Sequence, residues 1–238
     1  MKTLLTLIAA VLGVDAAHAA ERRYTLSAFD KVRVEGDVAV EITSGAPPFA
    51  LASGDPRALE ALSVKVQGGT LYIRRARRNA TTELRNNAAS PDQLPLVRVS
   101  ARAVSALAVL GHGSARIDRL AGARPSATMD GNGSVEIGNV NAQAVAINVN
   151  GSGSLAIAGS AASARAVMLG DGLIEGGGLT LGSLEFIGEG PVRGRFAVDD
   201  AARIAVKGDA DVRITGNPTC NVRQSGENVI QCGDGPRR

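Results

Sequence analysis

Three acidic side chains stand beside glycines at regular intervals in the second half of the sequence. Asp171, Glu189 and Asp209 each follow a glycine directly, at intervals of 18 and 20 residues. If these intervals are one structural repeat, neighbouring carboxylates stack roughly 5 Å apart and repel by about 1 kcal/mol even in water. Bound Ca²⁺ would relieve that repulsion, because it accepts several oxygen ligands. The competing interpretation is solvated turn acids neutralised by arginines such as Arg193, and the chain lacks the Gly-Gly-x-Gly-x-Asp pattern of calcium-binding β-rolls.

The densest positive charge in the sequence is a cluster of arginines. Arg74, Arg75, Arg77 and Arg78 directly follow a strand-like segment at 69–73. Guanidinium forks suit carboxylate and phosphate groups, so the cluster predicts binding of a polyanion such as an envelope polysaccharide or a lipid headgroup. A solvated strand end is the competing interpretation, because runs of charge usually face water. Nucleic acid is not expected as a partner, since the basic segment lacks interleaved aromatic residues.

The two cysteines of the chain predict a disulfide. Cys220 and Cys232 are 12 positions apart in a polar C-terminal segment, and an oxidising compartment favours their pairing. A loop of this size stabilises the folded chain by about 3 kcal/mol in the chain-entropy model. The alternative of a redox or metal pair is weaker, because there is no Cys-x-x-Cys spacing and no histidine nearby.

Few residues remain for the usual catalytic machinery. Beyond residue 19 the only histidine is His112, the chain has no Trp, and aromatic residues make up 3% of it. A Ser/His/Asp or Cys/His site would have to use His112, which no catalytic motif surrounds. The composition therefore predicts a protein that is not an enzyme and that needs no cofactor, with Ca²⁺ as the one candidate ion.

A repeat of about twenty residues must position these side chains. Residues four and two before, and four and six after, the first glycine of each copy are largely apolar and alternate with variable positions, as in strands with one buried face. Glycine suits the intervening turn because it reaches φ > 0 without a Cβ clash. Short units of this kind stack into an all-β solenoid, since no single copy buries its apolar face alone. The first glycines are Gly111, Gly131, Gly151, Gly170, Gly188 and Gly208.

The N-terminal segment predicts export. Lys2 precedes an apolar run at 4–12, and Ala17-His18-Ala19 follows as a small-x-small cleavage site. This order is typical of a secretory signal peptide at 1–19. The apolar run is shorter than the roughly 20 residues that a membrane span needs. We therefore expect a periplasmic or secreted protein with no membrane span after cleavage.

The remainder, residues 20–238, is predicted to be a single solenoid domain. The composition shifts to Asn, Thr, Ala, Ser and Pro in one stretch, which predicts an exposed loop. Terminal coils are expected to be atypical, because they must present a covered or polar end. The predicted parts are irregular N-terminal coils at 24–78, the loop at 79–95, regular coils at 96–216 and a C-terminal cap at 217–238.

Several segments resemble a known family. They are Phe29-Asp30-Lys31-Val32, the stretch 68–73, and the Gly-x-Gly-Ser turns at 111–114, 131–134 and 151–154. Together they are similar to the putative auto-transporter adhesin, head GIN domain family, over roughly 24–216. The resemblance implies a right-handed parallel β-helix in an exported bacterial envelope protein. No catalytic residues come with it.

The function predicted from these features is binding or adhesion. We expect a non-enzymatic cell-envelope protein whose solenoid surface binds an envelope protein or a polysaccharide. One alternative is a polysaccharide-acting enzyme, similar to pectate lyases and calcium-assisted, with Arg193 as base; it depends on analogy of fold. Another is a structural rod that associates with itself, because uncapped strand edges at its ends would pair.

Overall fold

A computed structural model of the protein describes residues 20–76 and 94–233. Strands account for 73% of the structure and helix for 3%, so the fold is all-β as predicted. The predicted signal peptide at 1–19, Arg77, Arg78 and most of the predicted loop at 79–95 lie outside the described residues.

The strands are short at both ends of the chain and long in its middle. The N-terminal part contains β1 (Ala20–Thr25), β2 (Lys31–Glu35), β3 (Ala39–Ser44), β4 (Phe49–Gly54), helix α1 (Pro56–Glu60), β5 (Leu62–Gln67) and β6 (Thr70–Arg75). After the gap come β7 (Leu96–Ala101), β8 (Ala106–Gly111), β9 (Ser114–Ile117), β10 (Leu120–Ala121) and β11 (Ser126–Gly131). The remaining strands are β12 (Ser134–Gly151), β13 (Ser154–Leu169), β14 (Leu173–Glu189), β15 (Val192–Lys207), β16 (Ala210–Thr215), β17 (Thr219–Ser225) and β18 (Asn228–Cys232).

Strands from successive coils stack into two main ladders. The leading ladder contains the segments before each turn: β5, β6, β2, β8, β11, the second halves of β12 to β15, and β17. The trailing ladder contains those after it: β1, β4, β7, β3, β9, the first halves of β12 to β15, β16 and β18. Pairing is parallel except at β1–β4, β4–β7 and β5–β6. The molecule is therefore a parallel β-helix, and the predicted solenoid is confirmed.

The interior of the β-helix consists of apolar columns. Ile147 lies between Ala127 and Ala166 of the neighbouring coils, and all three are fully buried. Burial of a side chain as large as isoleucine contributes about 1.5–3 kcal/mol before chain entropy is subtracted. The predicted alternation of buried and outward positions is confirmed in these strands.

The predicted position of the fifth turn is wrong. Gly188 lies inside a strand, paired with Met168 and Val206. Gly190 takes the turn position instead, with φ of 103°, and stacks on Gly170. Because the two glycines are two residues apart, either choice preserves the inward and outward alternation of the strand. The sequence pattern alone therefore does not distinguish them.

A pair of phenylalanines explains why a glycine is needed inside that strand. The rings of Phe186 and Phe196 are buried, with centroids 5.5 Å apart and planes inclined by 56°. A Cβ on Gly188 would lie 2.8 Å from Val192 and 3.1 Å from Phe186, and one on Gly176 or Gly194 would lie 2.9 Å from Phe196. The missing side chains make room for the rings, so packing density is kept across these coils.

The two ends of the β-helix differ. At the N-terminal end, antiparallel strands and helix α1 cover the core; Asp55 caps this helix, which buries Ala58 and Leu59. At the other end, β17 and β18 continue the parallel ladders, and Gly226 forms a further turn with φ of 104°. The segment predicted as a cap from residue 217 thus continues the coil architecture through residue 233.

Substitution of Ile147 by Asp tests the core. The carboxylate would be buried without a partner, so we expect the variant to lose its folded structure. Gln143→Asp, at an exposed position on the same strand, is the matched control. Circular dichroism melts of both variants provide the measurement. A native-like melt for Ile147→Asp would contradict the stacked-coil core.

A glycine pair tests the close approach of neighbouring turns. A Cβ on Gly133 would lie 2.0 Å from the carbonyl oxygen of Gly113, whereas a Cβ on Gly177 has nothing within 4 Å. We expect Gly133→Ala to lower the free energy of unfolding by about 1–3 kcal/mol, as overpacking does. Gly177→Ala should leave it within about 1 kcal/mol. Equal denaturation midpoints for the two variants would contradict the turn geometry.

Candidate functional site

A basic surface lies on the outside of the leading ladder near its N-terminal end. Strand alternation turns the side chains of Lys31 and Arg33 on β2 outward, because Val32 and Val34 are buried. The register places Arg33 beside Tyr72 of β6 and Tyr72 beside Lys65 of β5. Arg74 of β6 lies beside Glu35 in the same face. We name Lys31, Arg33, Lys65 and Arg74 the basic face.

On this face, one carboxylate forms ion pairs with two arginines. Arg33 Nε lies 2.6 Å from Glu35 Oε1, and Arg74 Nε lies 2.8 Å from Glu35 Oε2. Glu35 is the only acidic residue on β2, β5 and β6, and neither Lys31 nor Lys65 has an ion pair within the described residues. The guanidinium of Arg74 also lies over the Tyr72 ring, 5.0 Å from its centroid, a favourable cation–π arrangement. The face therefore carries a net excess of positive charge.

The structure separates the members of the predicted arginine cluster. Arg74 belongs to the basic face, whereas Arg75 Nη1 donates a hydrogen bond to the Asp37 carbonyl oxygen at 3.3 Å. Arg75 therefore supports the turn after β2. Arg77 and Arg78 are outside the described residues.

Sequence reasoning missed the other members of the basic face, Lys31, Arg33 and Lys65. They come from separate segments, and β6 pairs with β2 across a long sequence separation. The available signal was the alternation of charged and apolar residues within β2 and β5. It identifies outward positions but not which strands are neighbours.

The three acids proposed as calcium ligands do not stack in one column. The strand registers place Pro191 between Asp171 and Asp209. Glu189 belongs to a different column, where it pairs with Lys207. The predicted stacking is therefore wrong, and its cause is the misplaced fifth turn.

Basic side chains accompany two of these acids. Arg193 Nη2 lies 3.4 Å from Asp171 Oδ1, and Lys207 Nζ lies 3.3 Å from Glu189 Oε1. In residues 20–76 and 94–233, no three His, Cys, Asp or Glu side chains are grouped so that they could hold a metal ion. Calcium binding stays a prediction without an assembled set of ligands here.

A shallow groove with hydroxyl groups runs along the turns between the two ladders. Ser114, Ser134 and Ser154 lie opposite one another on consecutive coils, within a groove of about 450 Å³. His112 lies at the groove, with Nδ1 3.5 Å from Asp37 Oδ1. Serine hydroxyls both donate and accept hydrogen bonds, as the hydroxyls of a sugar do. The Gly-x-Gly-Ser repeats were the sequence signal, but they indicated only turns.

The predicted disulfide is present. Cys220 of β17 and Cys232 of β18 are bonded, with their Cα atoms 6.4 Å apart. The bond joins the two strands of the last described coil. The disulfide lies away from the basic face and the groove, in the position of a structural cross-link.

The fold places the protein in the class of parallel β-helix proteins. The model of the family described as "Putative auto-transporter adhesin, head GIN domain" matches residues 28–218, and the chain belongs to this family. No curated protein is significantly similar to it in sequence. Among the described residues, no helix is long and apolar enough to cross a membrane.

Solved structures share this fold. A "putative adhesin" from Bacteroides fragilis is 18% identical, with a TM-score of 0.75, over 92% of this chain and 97% of that chain. A "putative lipid binding protein" from Parabacteroides distasonis is 16% identical, with a TM-score of 0.69, over 91% of this chain and 97% of that chain. A "putative adhesin" from Parabacteroides merdae is 13% identical, with a TM-score of 0.63, over 91% of this chain and 96% of that chain. At these identities the likeness establishes the fold.

Tyr24 on β1 has a buried hydroxyl that makes no hydrogen bond within the described residues. Burial raises the pKa of Tyr24 above its ordinary value, and the Arg22 guanidinium, 5.3 Å from the ring centroid, opposes that rise. A raised pKa means that the folded state holds the phenol proton more tightly than the unfolded state does. The associated stability is present below the unfolded pKa of about 10 and is lost as pH rises through the folded value.

Alkaline titration tests this environment. The chain has two tyrosines, and we expect Tyr24→Phe to remove the phase of tyrosinate formation that is displaced above the ordinary tyrosine pKa, as seen by ultraviolet absorbance. The variant should also lose less stability than the native protein above about pH 10, because phenylalanine has no hydroxyl group that could ionise at this position. Tyr72→Phe is the control, because it leaves the Tyr24 phenol in place. An unchanged titration of Tyr24→Phe in that phase would contradict the assignment.

Proposed function

We propose that the protein is a non-enzymatic, exported, adhesin-like β-helix of the bacterial envelope that binds an acidic polysaccharide through the basic face. The signal-peptide pattern at 1–19 supports export. The family description and the names of the similar structures support adhesion. The single observation that carries the choice of ligand is the excess of cations over the one carboxylate, Glu35, on strands β2, β5 and β6.

The geometry of the basic face suits a polymer with repeated carboxylates. Its cations stand on three neighbouring strands spaced roughly 4.8 Å apart, so they form rows and not an isolated point charge. Arginine presents a fork to a carboxylate, while the lysines supply mobile charges. Because the strands are fixed in a sheet, the backbone loses little conformational freedom when the ligand binds, and the entropy cost is limited to the side chains.

Two other ligand classes are the competitors. Uncharged glycans would use the hydroxyl groove, where Ser114, Ser134 and Ser154 are aligned. Anionic lipid headgroups would use the basic face, and one structural neighbour bears the name "putative lipid binding protein". A polysaccharide is the better match to a row of cations on a flat sheet, because its charges are joined in a line.

A double substitution tests the basic face. We expect Lys65→Gln with Arg74→Gln to weaken binding of polygalacturonate, an acidic polysaccharide, by about tenfold or more, since charged hydrogen bonds contribute about 1.5–3 kcal/mol each. The native interaction should also weaken with added salt, because exposed charges are screened. Calorimetric titration of the protein from residue 20 onward gives both quantities.

A matched variant controls for loss of net charge. Arg124→Gln with Arg203→Gln removes the same charge from exposed positions elsewhere on the solenoid and should bind like the native protein. Equal weakening in both double variants, or no binding to polygalacturonate, would contradict the proposal. Binding only to neutral glycans or to anionic vesicles would favour the groove or a lipid headgroup instead. Cleavage of polygalacturonate, followed in the same samples, would revive the enzyme alternative, and Asp171→Ala would then test it.

A further inference from the structure

The last described coil has two strands with open edges. Strand β17 pairs with β15, and β18 pairs with β16; neither has a strand on its other side within residues 20–76 and 94–233. Every residue of β17 is exposed. Its outer backbone N–H and C=O groups are thus held in strand geometry without strand partners, which is an arrangement that templates further pairing.

The apolar core also reaches this end without a cover. Val222 stacks on the buried Ile204 yet remains 39% exposed, and Ile230 on the neighbouring strand stacks on the buried Val212 and is only partly buried. Val229 faces outward beside Asp211 and is 58% exposed. At the opposite end, by contrast, α1 and the antiparallel strands bury the last apolar side chains. The chain therefore has one covered end and one open end in its described part.

The open edge is held in order by a disulfide and, in the described part of the chain, has a buried acceptor without a donor. The Cys220–Cys232 disulfide joins β17 to β18, so the last coil is closed on itself without a further coil to pack on. Asn228 Oδ1, at the start of β18, is buried and accepts no hydrogen bond within the described residues. An edge that is already ordered loses little entropy when it pairs.

We propose that the open end binds a second copy of this chain, with β17 pairing antiparallel to β17 of the second copy. A two-fold axis at Val222 sets this residue opposite its counterpart and sets Arg223 opposite Asn221 of the second copy. No like charges then face each other directly, as stable cross-strand pairing requires. One surface serves both copies, so the assembly closes as a dimer.

Head-to-tail pairing with the other end is less favourable electrostatically. The leading ladder ends there in β5, which carries Lys65, and the trailing ladder ends in β1, which carries Glu21, Arg22 and Arg23. A head-to-tail stack joins the leading ladders, so it would bring Lys65 towards Arg223 of β17, while β1 would meet the uncharged β18. Like charges on neighbouring strands destabilise pairing, so the charges of the chain select the closed dimer over an open series of copies.

The mass of the chain from residue 20 onward, measured by size exclusion with light scattering over a concentration series, tests this inference. We expect twice the mass of one chain at high concentration. Val222→Lys would place two ammonium groups opposite each other and should return the mass to one chain. Val229→Lys, on the same coil but not on the paired strand, should remain a dimer. A single-chain mass for the native protein at every concentration, or a mass beyond two chains, overturns the proposal.

A cysteine experiment keeps the test valid if Val222→Lys does not fold. Copies with Asn221→Cys are mixed with copies with Arg223→Cys and oxidised. The proposed register predicts a covalent dimer in the mixture, because residues directly opposite in antiparallel strands have Cα atoms about 4.5–5.5 Å apart, within disulfide range. Either variant oxidised alone should give at least fivefold less covalent dimer. Equal yields in the mixture and in the separate samples overturn the register.

Discussion

The close approach of backbones at the turns is the constraint on which the rest of the β-helix depends. A Cβ on Gly131 would lie 2.5 Å from the Gly111 carbonyl oxygen, and one on Gly151 would lie 2.7 Å from that of Gly131. The coils stack at strand spacing only because no side chain intervenes there. Once the turns are in register, each remaining position of a coil is held above its equivalent in the coil before. The apolar columns, the groove and the charged rows all follow from this alignment.

Because equivalent positions stack, charged side chains of successive coils lie next to one another in outward-facing columns. Along one outer column of the trailing ladder, Glu41 pairs with Arg98, Arg116 with Glu136, and Glu175 with Arg195. Each exposed pair contributes little to stability, typically below about 1 kcal/mol. Their effect is to alternate charge along these coils, since like charges in adjacent strands would repel. At the end of the column Arg213 lies beside Arg195 and forms its ion pair with Asp211. The basic face instead has an excess of cations over its one carboxylate, Glu35, and this excess is the reason for proposing a ligand there.

The sequence was sufficient to predict the fold because the repeat and the alternation are both local signals. The columns through Ile147 and its neighbours were predictable from residue type and offset alone. The misplaced turn shows the limit of these local signals. Gly188 and Gly190 lie on the same side of the strand, and only the packing of Phe186 and Val192 around Gly188 shows which of them is the turn. The basic face was harder still, because β2, β5 and β6 become neighbours through pairing that offset counting does not contain. Arg74 was found because it belongs to a run, and Lys65 was missed because it stands alone.

The separation of the basic face from the regular coils has a consequence for how such proteins diversify. The face is built on β2, β5 and β6, whereas β12 to β15 contact only the coils next to them. A duplication or deletion of one whole coil in that region would leave the face and its charges intact, because each new interface repeats an old one. Length and recognition can therefore change independently in evolution. Under the proposed function, the regular coils are a spacer whose length changes in steps of one coil.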